Sequence, residues 1–381
     1  MLRYTSDMAE SLLPHVRDQI SRAAADQLDW VGYSARMSEA LRTVIPHDRC
    51  CWHTVDPGTI LFTGSVNRNV GCSGSWLAHY EYEVEDVDKW AFLAHSGRLA
   101  GALSLDTHGD LSRSARHRSH EAYGIGDELR VSLVSDGVYW GAAAFLRDAG
   151  APWYTAEHVC AIAALAPALA TGLRHSMLHE VEAAVTTVDY GPGVVVFDAV
   201  GNPESVSPAA ERWIDEIVEV PAPSTPFESK VVQAIAARAR AIEPGTDPLE
   251  LAARSRVRTR SGAWLLLYGT RLSGVEDGRT AVIIQPATPH EIAPVIAMAY
   301  GLSQRECHLT ALCVQGRSTR EMAHAMSLSV YTIQDHMKSI FDKTGVRSRG
   351  ELVGQIFLEH YAPRWELAAS PPSGWWAKGI N

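Results

Sequence analysis

The sequence predicts a multidomain protein in which two α/β domains with antiparallel sheets precede an all-α unit of four helices. Three observations support this fold class. The chain of 381 residues is long enough for two or three domains. Short β-branched segments separated by turn residues recur before residue 290. Four helix-start signals then crowd into residues 302–352.

The first α/β domain is expected over residues 1–178. Apolar residues at helical spacing predict helices that end at Pro46: Leu12, Leu13, Val16 and Ile20, then Met37, Leu41 and Ile45. Two hairpins are expected. They pair 50–55 with 59–63 across a Pro-Gly turn, and 128–134 with 138–147 across Asp136-Gly137. A long helix follows at 155–178, in which Pro167 predicts a kink or break.

The second α/β domain is expected over residues 185–288. Its predicted strands are 193–198, 263–272 and 280–285, and its predicted helices are 207–218 and 227–242. Three prolines between residues 286 and 294 predict a hinge into the last domain, 295–361. The final segment, 362–381, is expected to be a flexible tail.

Composition limits the classes of function. With 46% hydrophobic and 20% charged residues the chain is typical of a globular protein, and its net charge of -10 excludes a uniformly basic nucleic-acid binder. Residues 302–361 nevertheless have seven Lys/Arg against six Asp/Glu, a net charge of about +1, which leaves about -11 for the remainder. This asymmetry suits a terminal DNA-binding module of modest non-specific affinity.

Cysteine usage indicates the compartment. None of the six cysteines forms a CxxC pair, which predicts reduced thiols in a cytoplasm. No charged segment followed by an apolar run opens the chain, and no apolar run approaches the ~20 residues of a membrane span. We therefore expect a cytoplasmic protein without membrane contact.

Helix caps define the last domain. Ser303 with Glu306, Ser318 with Glu321 and Ser348 with Glu351 have the spacing of capping boxes, in which each serine and glutamate satisfy early backbone N–H groups. Ser329 marks a fourth start without an acidic partner. The pattern predicts a compact four-helix unit.

The third of these helices, 330–344, is amphipathic. Ile333, Met337, Ile340 and Thr344 recur at helical spacing and are expected to face the core. The opposite face carries Tyr331, Gln334, Asp335, Lys338 and Asp342, with Thr332, His336, Ser339 and Lys343 between the two faces. An α-helix fits the DNA major groove, where Gln can pair with adenine, Asp with cytosine and Lys with guanine.

This segment resembles the LuxR-type helix-turn-helix of bacterial transcription regulators. The matching positions are Leu302, Arg305, Glu306, Gly316, Ser318, Glu321, Ala323, Leu328, Ser329, Thr332, His336, Ile340, Lys343, Gly345, Val346, Arg349, Glu351 and Leu352. The resemblance implies that the third helix enters the major groove and that the fourth supports dimerisation. A four-helix module used only for protein contacts is the alternative.

The resemblance also assigns DNA contacts. It places Gln334, Asp335 and Lys338 at base-reading positions and Thr332, His336 and Lys343 at phosphate-facing ones. The predicted DNA-binding set is completed by Ser318, Thr319, Arg320 and Tyr331. The family usually has a lysine where this chain has Gln334, so phosphate affinity and sequence preference are expected to differ.

The two preceding domains resemble known sensor domains. Residues 1–178 are similar to a GAF domain through Pro46-His47-Asp48, Cys51-Trp52, Asp56-Pro57, Asp127-Glu128-Leu129-Arg130, Trp140-Gly141 and Phe145-Leu146-Arg147. Residues 185–288 are similar to a PAS domain through 193–198 and 207–213. Both are α/β folds that either enclose a small molecule or only dimerise.

Candidate small-molecule contacts are the aromatic residues of the first domain: Trp52, Trp76, Tyr80, Tyr82, Trp90 and Trp140. The alternative is that they are ordinary core residues. His108, His117 and His120 lack the spacing of metal ligands, and Gly71–Gly74 lacks the lysine of a phosphate loop. We therefore expect no metal and no cofactor.

The sequence thus predicts a transcription regulator and not an enzyme. It should bind double-stranded DNA at a pseudo-palindromic operator as a homodimer and respond to a small-molecule effector, with RNA polymerase as a further candidate partner. One alternative is a dimerisation scaffold without a ligand. Another is a cysteine-based GAF redox enzyme using Cys50, Cys51 or Cys72, which would need an exposed thiol of low pKa.

Overall fold

The computed structural model describes residues 2–120, 123–178, 190–242, 253–273 and 278–358. An α/β region with two sheets precedes a helical region. The predicted tail, 362–381, lies outside the described residues.

The helices, in chain order, are α1 Leu2–Ala25, α2 Trp30–Leu41, α3 Gly74–Ala78, α4 Trp90–Ser96, α5 Leu103–Asp106, α6 Ala115–His120, α7 Ala156–Leu178, α8 Pro208–Glu216, α9 Lys230–Ala241, α10 Pro289–Ala299, α11 Gln304–Val314, α12 Thr319–Met326, α13 Val330–Thr344 and α14 Arg349–Leu358. The strands are β1 Arg49–Val55, β2 Phe62–Arg68, β3 Ala100–Ala102, β4 Ile125–Ser135, β5 Val138–Asp148, β6 Gly193–Phe197, β7 Pro203–Val206, β8 Glu219–Val220, β9 Arg254–Arg258, β10 Trp264–Arg271 and β11 Thr280–Pro286.

The first sheet has the order β3-β4-β5-β1-β2-β8. Both predicted hairpins are present, and the second turns at Asp136 and Gly137, whose φ angles are 54° and 74°. The return strand of the first hairpin begins at Phe62 and not at residue 59. It starts later because Asp56 and Leu61 close a wider loop through the bond from Asp56 N to Leu61 O.

Helices α1, α2 and α7 cover one face of this sheet and bury residues such as Tyr33 and Leu169. The predicted break at Pro167 is wrong, since α7 runs unbroken from Ala156 to Leu178. Burial of its apolar side chains holds α7 in place although Pro167 provides no N–H for the helix. Among the described residues one helical segment, Ala156–Met177, is long and apolar enough to span a membrane. It packs on the sheet.

The second sheet has the order β7-β6-β11-β10-β9 with antiparallel neighbours. Strands β7 and β9 were not predicted. Both are short, and β9 alternates arginine with serine and valine, so neither shows the apolar pattern that identified the other strands.

Helix α9 joins the two α/β units. It lies between β2 and α3 of the first unit and β10 and β11 of the second, and Val231, Ala234 and Ile235 are fully buried. A Cβ on Gly269 of β10 would lie 2.9 Å from Ile235, so only glycine permits this approach. One apolar cluster therefore runs through both units.

An ion pair also joins the units. Asp56, which is 2% exposed, accepts from Arg256 Nη2 at 2.6 Å and Arg256 Nε at 2.8 Å. Arg256 Nη1 donates to the carbonyl of Glu291 in α10 at 3.3 Å. One guanidinium thus contacts the first unit, the second sheet and the helix that leads into the last domain.

The stretch 286–294, predicted as a hinge, contains the start of α10 at Pro289. Thr288 and Glu291 form a capping box, and Pro289 occupies the first turn, where a proline has no hydrogen bond to lose. Ile292, Val295 and Ile296 pack against Trp264 of β10. This burial offsets the presence of Pro294 inside the helix.

We predict that Arg256→Ala lowers the free energy of unfolding by about 3–5 kcal/mol, because it leaves a buried carboxylate unpaired. Chemical denaturation followed by tryptophan fluorescence measures this change. As a control, Glu204→Ala removes the more exposed pair with Arg279, which should cost about 0–1 kcal/mol. Equal effects of the two substitutions would contradict the role assigned to the buried pair.

Candidate nucleic-acid interface

Four capped helices build the last domain. The capping boxes Ser303–Glu306 and Ser318–Glu321 are present as predicted, and Ser329 caps α13 without an acidic partner. At the fourth start, Ser348 Oγ accepts from Glu351 N at 3.1 Å, but the Glu351 carboxylate accepts from Arg347 N. The Glu351 carboxylate therefore accepts from the N–H of Arg347 and not, as the predicted capping box requires, from the N–H of Ser348.

Helices α12 and α13 are joined by a short turn. Ser327 adopts a left-handed conformation with φ 53°, which ends α12. Ser329 Oγ then accepts from Thr332 N at 3.0 Å and begins α13. This close succession of caps sets the second helix of the pair across the first.

Helix α13 divides into two faces as predicted. Three inner residues, Ile333, Met337 and Ile340, are buried in a cluster with residues of the three neighbouring helices: Leu309, Met322 and Leu352. Thr344, the fourth predicted inner residue, is also buried. Its outer residues are exposed: Tyr331, Gln334, Asp335, Lys338 and Asp342. Tyr331 is 80% exposed. Thr332 and His336 are half-buried at the border between the faces.

The Glu306 carboxylate fixes α13 on α11. It accepts from Ser303 N at 2.6 Å, Ser339 Oγ at 2.7 Å and Lys343 Nζ at 2.7 Å. Burial would raise the pKa of Glu306, but the bonds from Lys343, Ser303 and Ser339 outweigh it and lower that pKa to about 2. Lys343, which was predicted to face phosphate, thus has its ammonium on a carboxylate of the domain itself.

The remaining candidates on this domain lie at the start of α12, where Ser318 and Arg320 are exposed and Thr319 is half-buried. They are adjacent to the outer face of α13. Thr319 lines a common groove with Gln334 and Lys338 of α13. Two of the ten predicted contacts bond to carboxylates of the domain itself, since the Ser318 N–H donates to Glu321 and the Lys343 ammonium to Glu306.

The six aromatic candidates of the first domain do not converge on one space. Trp52 lies on the helix-covered side of the sheet, where Nε1 donates to Ser38 Oγ at 2.9 Å. Trp90 lies in the cluster on the other side. Adjacent residues of a strand point to opposite faces, so Trp52 of β1 is directed away from this second cluster. A single pocket lined by all six residues is therefore wrong.

The other four aromatic residues occupy different environments. Trp76 and Tyr80 form a ring pair with centroids 5.0 Å apart, and the Tyr82 ring lies 5.4 Å from Phe62. Trp140 is buried in β5. Trp76 and Tyr82 pack against the same cluster as Trp90.

A buried polar cluster was missed by the sequence reasoning. Arg130 donates to Glu128 at 2.8 Å and to Glu81 at 2.9 Å, and its guanidinium lies 3.9 Å from the Trp90 ring centre. His53 is stacked on Phe62 with centroids 4.5 Å apart, and burial lowers its pKa to about 3, so the ring is neutral near pH 7. Only the pairing of distant elements reveals this cluster.

The three cysteines considered for redox chemistry, Cys50, Cys51 and Cys72, are not activated. Burial raises the pKa of Cys50, of Cys51 and of Cys72, which favours the protonated thiol. A reactive cysteine needs the opposite shift, because the thiolate is the nucleophile.

We predict that Glu306→Gln lowers the local stability of α11 and α13 at pH 7, measured as faster amide hydrogen exchange. Because folding depresses the pKa of Glu306, its stabilisation is complete above the ordinary value of 4.5 and is lost as the pH falls toward 2. The difference in amide exchange rate between Glu306→Gln and the parent, corrected for intrinsic exchange, should become smaller from pH 4.5 to pH 3. A gap that stays constant down to pH 3 would show that the charge of Glu306 is not what stabilises α13.

Comparison with known proteins identifies the last domain. The profile of the family described as "Bacterial regulatory proteins, luxR family" matches residues 301–355. A search of curated proteins gave no significant match.

Comparison with solved structures gave weak likenesses. SdiA of Escherichia coli is 11% identical over 90% of this chain and 95% of its own, with a TM-score of 0.31. The E. coli DhaR(N)–DhaL complex is 13% identical over 73% of this chain and 90% of that chain, with a TM-score of 0.21. These scores do not establish a shared fold. The identification therefore rests on the family match and on the capped helices described above: residues 301–355 are a LuxR-family helix-turn-helix domain that follows an α/β region.

Proposed function

We propose that this protein is a sequence-specific, DNA-binding transcription regulator of the cytoplasm. The observation that carries the proposal is the division of α13, whose inner face is buried in the LuxR-family domain while Gln334, Asp335 and Lys338 lie exposed on the outer face. An exposed polar helix face of this kind fits the major groove. Gln334 would read adenine, Asp335 cytosine and Lys338 guanine.

Binding is proposed to be dimeric. A homodimer would set two copies of α13 on half-sites about one helical turn apart, which implies a pseudo-palindromic operator. Helix α14 packs on α11 and α10 and is the proposed dimerisation helix by its resemblance to the family. RNA polymerase is a further proposed partner, as expected for a regulator of transcription.

The α/β region is proposed to sense a small molecule through a GAF-like first domain, 1–178, and a PAS-like second domain, 185–288. Two sheets with helices packed on them support this reading, and their strands are antiparallel except for the parallel pair of β2 and β8. Because the aromatic candidates are divided between the faces of the first sheet, an effector site would use the group around Trp76, Tyr82 and Trp90 and not Trp52.

Helix α10 is the proposed route from effector to DNA. It packs on Trp264 of the second sheet, accepts from Arg256, and leads to Gly301, whose neighbour is Arg174 of α7. A shift of the first unit relative to the second would therefore change the position of α10. An effector can produce such a shift only to the extent that it binds one arrangement more tightly than the other.

The alternative of a cysteine-based enzyme is disfavoured by the raised pKa of the thiols of Cys50, Cys51 and Cys72.

The other alternative is a dimerisation scaffold that binds no ligand, and an experiment distinguishes it from a sensor. We predict that native mass spectrometry of the full chain shows a non-covalent small molecule in excess of the polypeptide mass. A bare polypeptide mass from every preparation would favour the scaffold.

We predict that Lys338→Ala weakens binding to the operator and that Asp335→Ala relaxes preference at one base pair by roughly 1–3 kcal/mol. Operators would first be found by genome-wide binding and footprinting, and affinity measured by fluorescence anisotropy on single-base variants. Arg17→Ala, an exposed cation on α1, is the matched control and should bind like the parent. If Lys338→Ala and Asp335→Ala also bind like the parent, α13 is not the reading helix.

A further inference from the structure

A groove opens beside the outer face of α13. Its volume is about 310 Å³, and it lies where α12, α13 and the start of α14 meet. Its wall includes the apolar residues Met322 and Phe341 and the polar residues Thr319, Gln334, Lys338 and Arg349. Arg349 is not among the DNA contacts assigned above.

The chemistry of the groove is complementary to a sugar–phosphate unit. Lys338 and Arg349 are the cations that line it, and none of its lining residues is acidic. Thr319 adds a hydroxyl that can donate to an oxyanion. Met322 and Phe341 offer apolar surface, which suits the carbon face of a deoxyribose and not the phosphate itself.

The position of the groove indicates that the sugar–phosphate unit belongs to DNA. Gln334 and Lys338 belong both to the groove and to the proposed base-reading face, so a strand whose bases meet these side chains must pass its backbone nearby. We propose that the groove seats one sugar–phosphate unit of the operator, with Arg349 as a phosphate-binding residue. This inference rests on the proposed function.

Arg349 has a structural contact that the test must separate from this role. Its Nη2 donates to the carbonyl of Cys313 at the end of α11, at 3.1 Å. A guanidinium has five N–H donors, so this bond leaves others for a phosphate. Substitution by lysine keeps the charge, whereas substitution by glutamine removes it.

The experiment measures the affinity of the full chain for a short duplex of random sequence at several salt concentrations. Each phosphate contact contributes a slope of about -0.9 to the plot of log affinity against log salt. We expect Arg349→Gln to make the slope shallower by about that amount, and Arg349→Lys to keep the slope of the parent. Arg254→Gln, an exposed arginine on β9, is the control and should leave the slope unchanged.

A second variant covers the case in which Arg349→Gln fails to fold. Thr319→Glu places a carboxylate in the first turn of α12, where an acidic residue favours the helix. It should preserve the thermal unfolding midpoint yet weaken binding by at least about tenfold, because the carboxylate repels the phosphate.

The outcomes distinguish this inference from the proposed function. If the parent shows no salt-dependent binding to DNA, the proposed function itself fails. If the parent binds and either Arg349→Gln folds and keeps its slope or Thr319→Glu binds like the parent, only the assignment of the groove is overturned. Equal losses for Arg349→Lys and Arg349→Gln would show that Arg349 acts through Cys313 and not through its charge.

Discussion

The packing of α13 against α11, α12 and α14 is the constraint on which the proposed function depends. Three apolar side chains at helical spacing, Ile333, Met337 and Ile340, are buried in a cluster with residues of α11, α12 and α14. The Glu306 carboxylate then fixes the rotation of the helix by accepting from Ser339 and Lys343. With both restraints in place the outer face can present only one set of residues. That set is polar and exposed, as the proposed contact with base edges requires. The net charge of residues 302–361 is only about +1, so bulk electrostatic attraction to DNA is weak.

The α/β region supplies the setting for this helix. Its two units both pack on α9 and share one apolar cluster, so they are packed against each other and are not separate domains joined only by a linker. Arg256 adds a polar link, because its side chain donates to Asp56 of the first unit and to the carbonyl of Glu291 at the start of α10. The polypeptide between the α/β region and the LuxR-family domain is therefore helical, and Arg256 anchors its first turn through the carbonyl of Glu291. The α/β region thus contacts the helix that precedes the last domain.

Sequence reasoning predicted the elements whose signals are local. The bounds of α13, its buried face and two of three capping boxes follow from residues close together in the chain, as does the hairpin at Asp136-Gly137. It failed where distant contacts decide. Pro167 and Pro294 lie inside helices because packing offsets their cost, and Lys343 is paired because Glu306 of another helix lies within reach. The prediction of one aromatic pocket failed for a related reason. Trp52 of β1 lies in the cluster under α1, α2 and α7, whereas the packing of α4 on the sheet puts Trp90 in the other cluster, and neither placement can be read from the residues themselves.

The most direct measurement is a site-specific photo-crosslink to DNA. A photoreactive phenylalanine analogue would replace Gln334 on α13 in one protein and Tyr268, an exposed residue of the second sheet, in another. Irradiation with duplex DNA that contains an operator should link the protein at position 334 to bases of a half-site and give no link from position 268. Absence of a link at position 334 under conditions in which the protein binds that duplex would contradict the account.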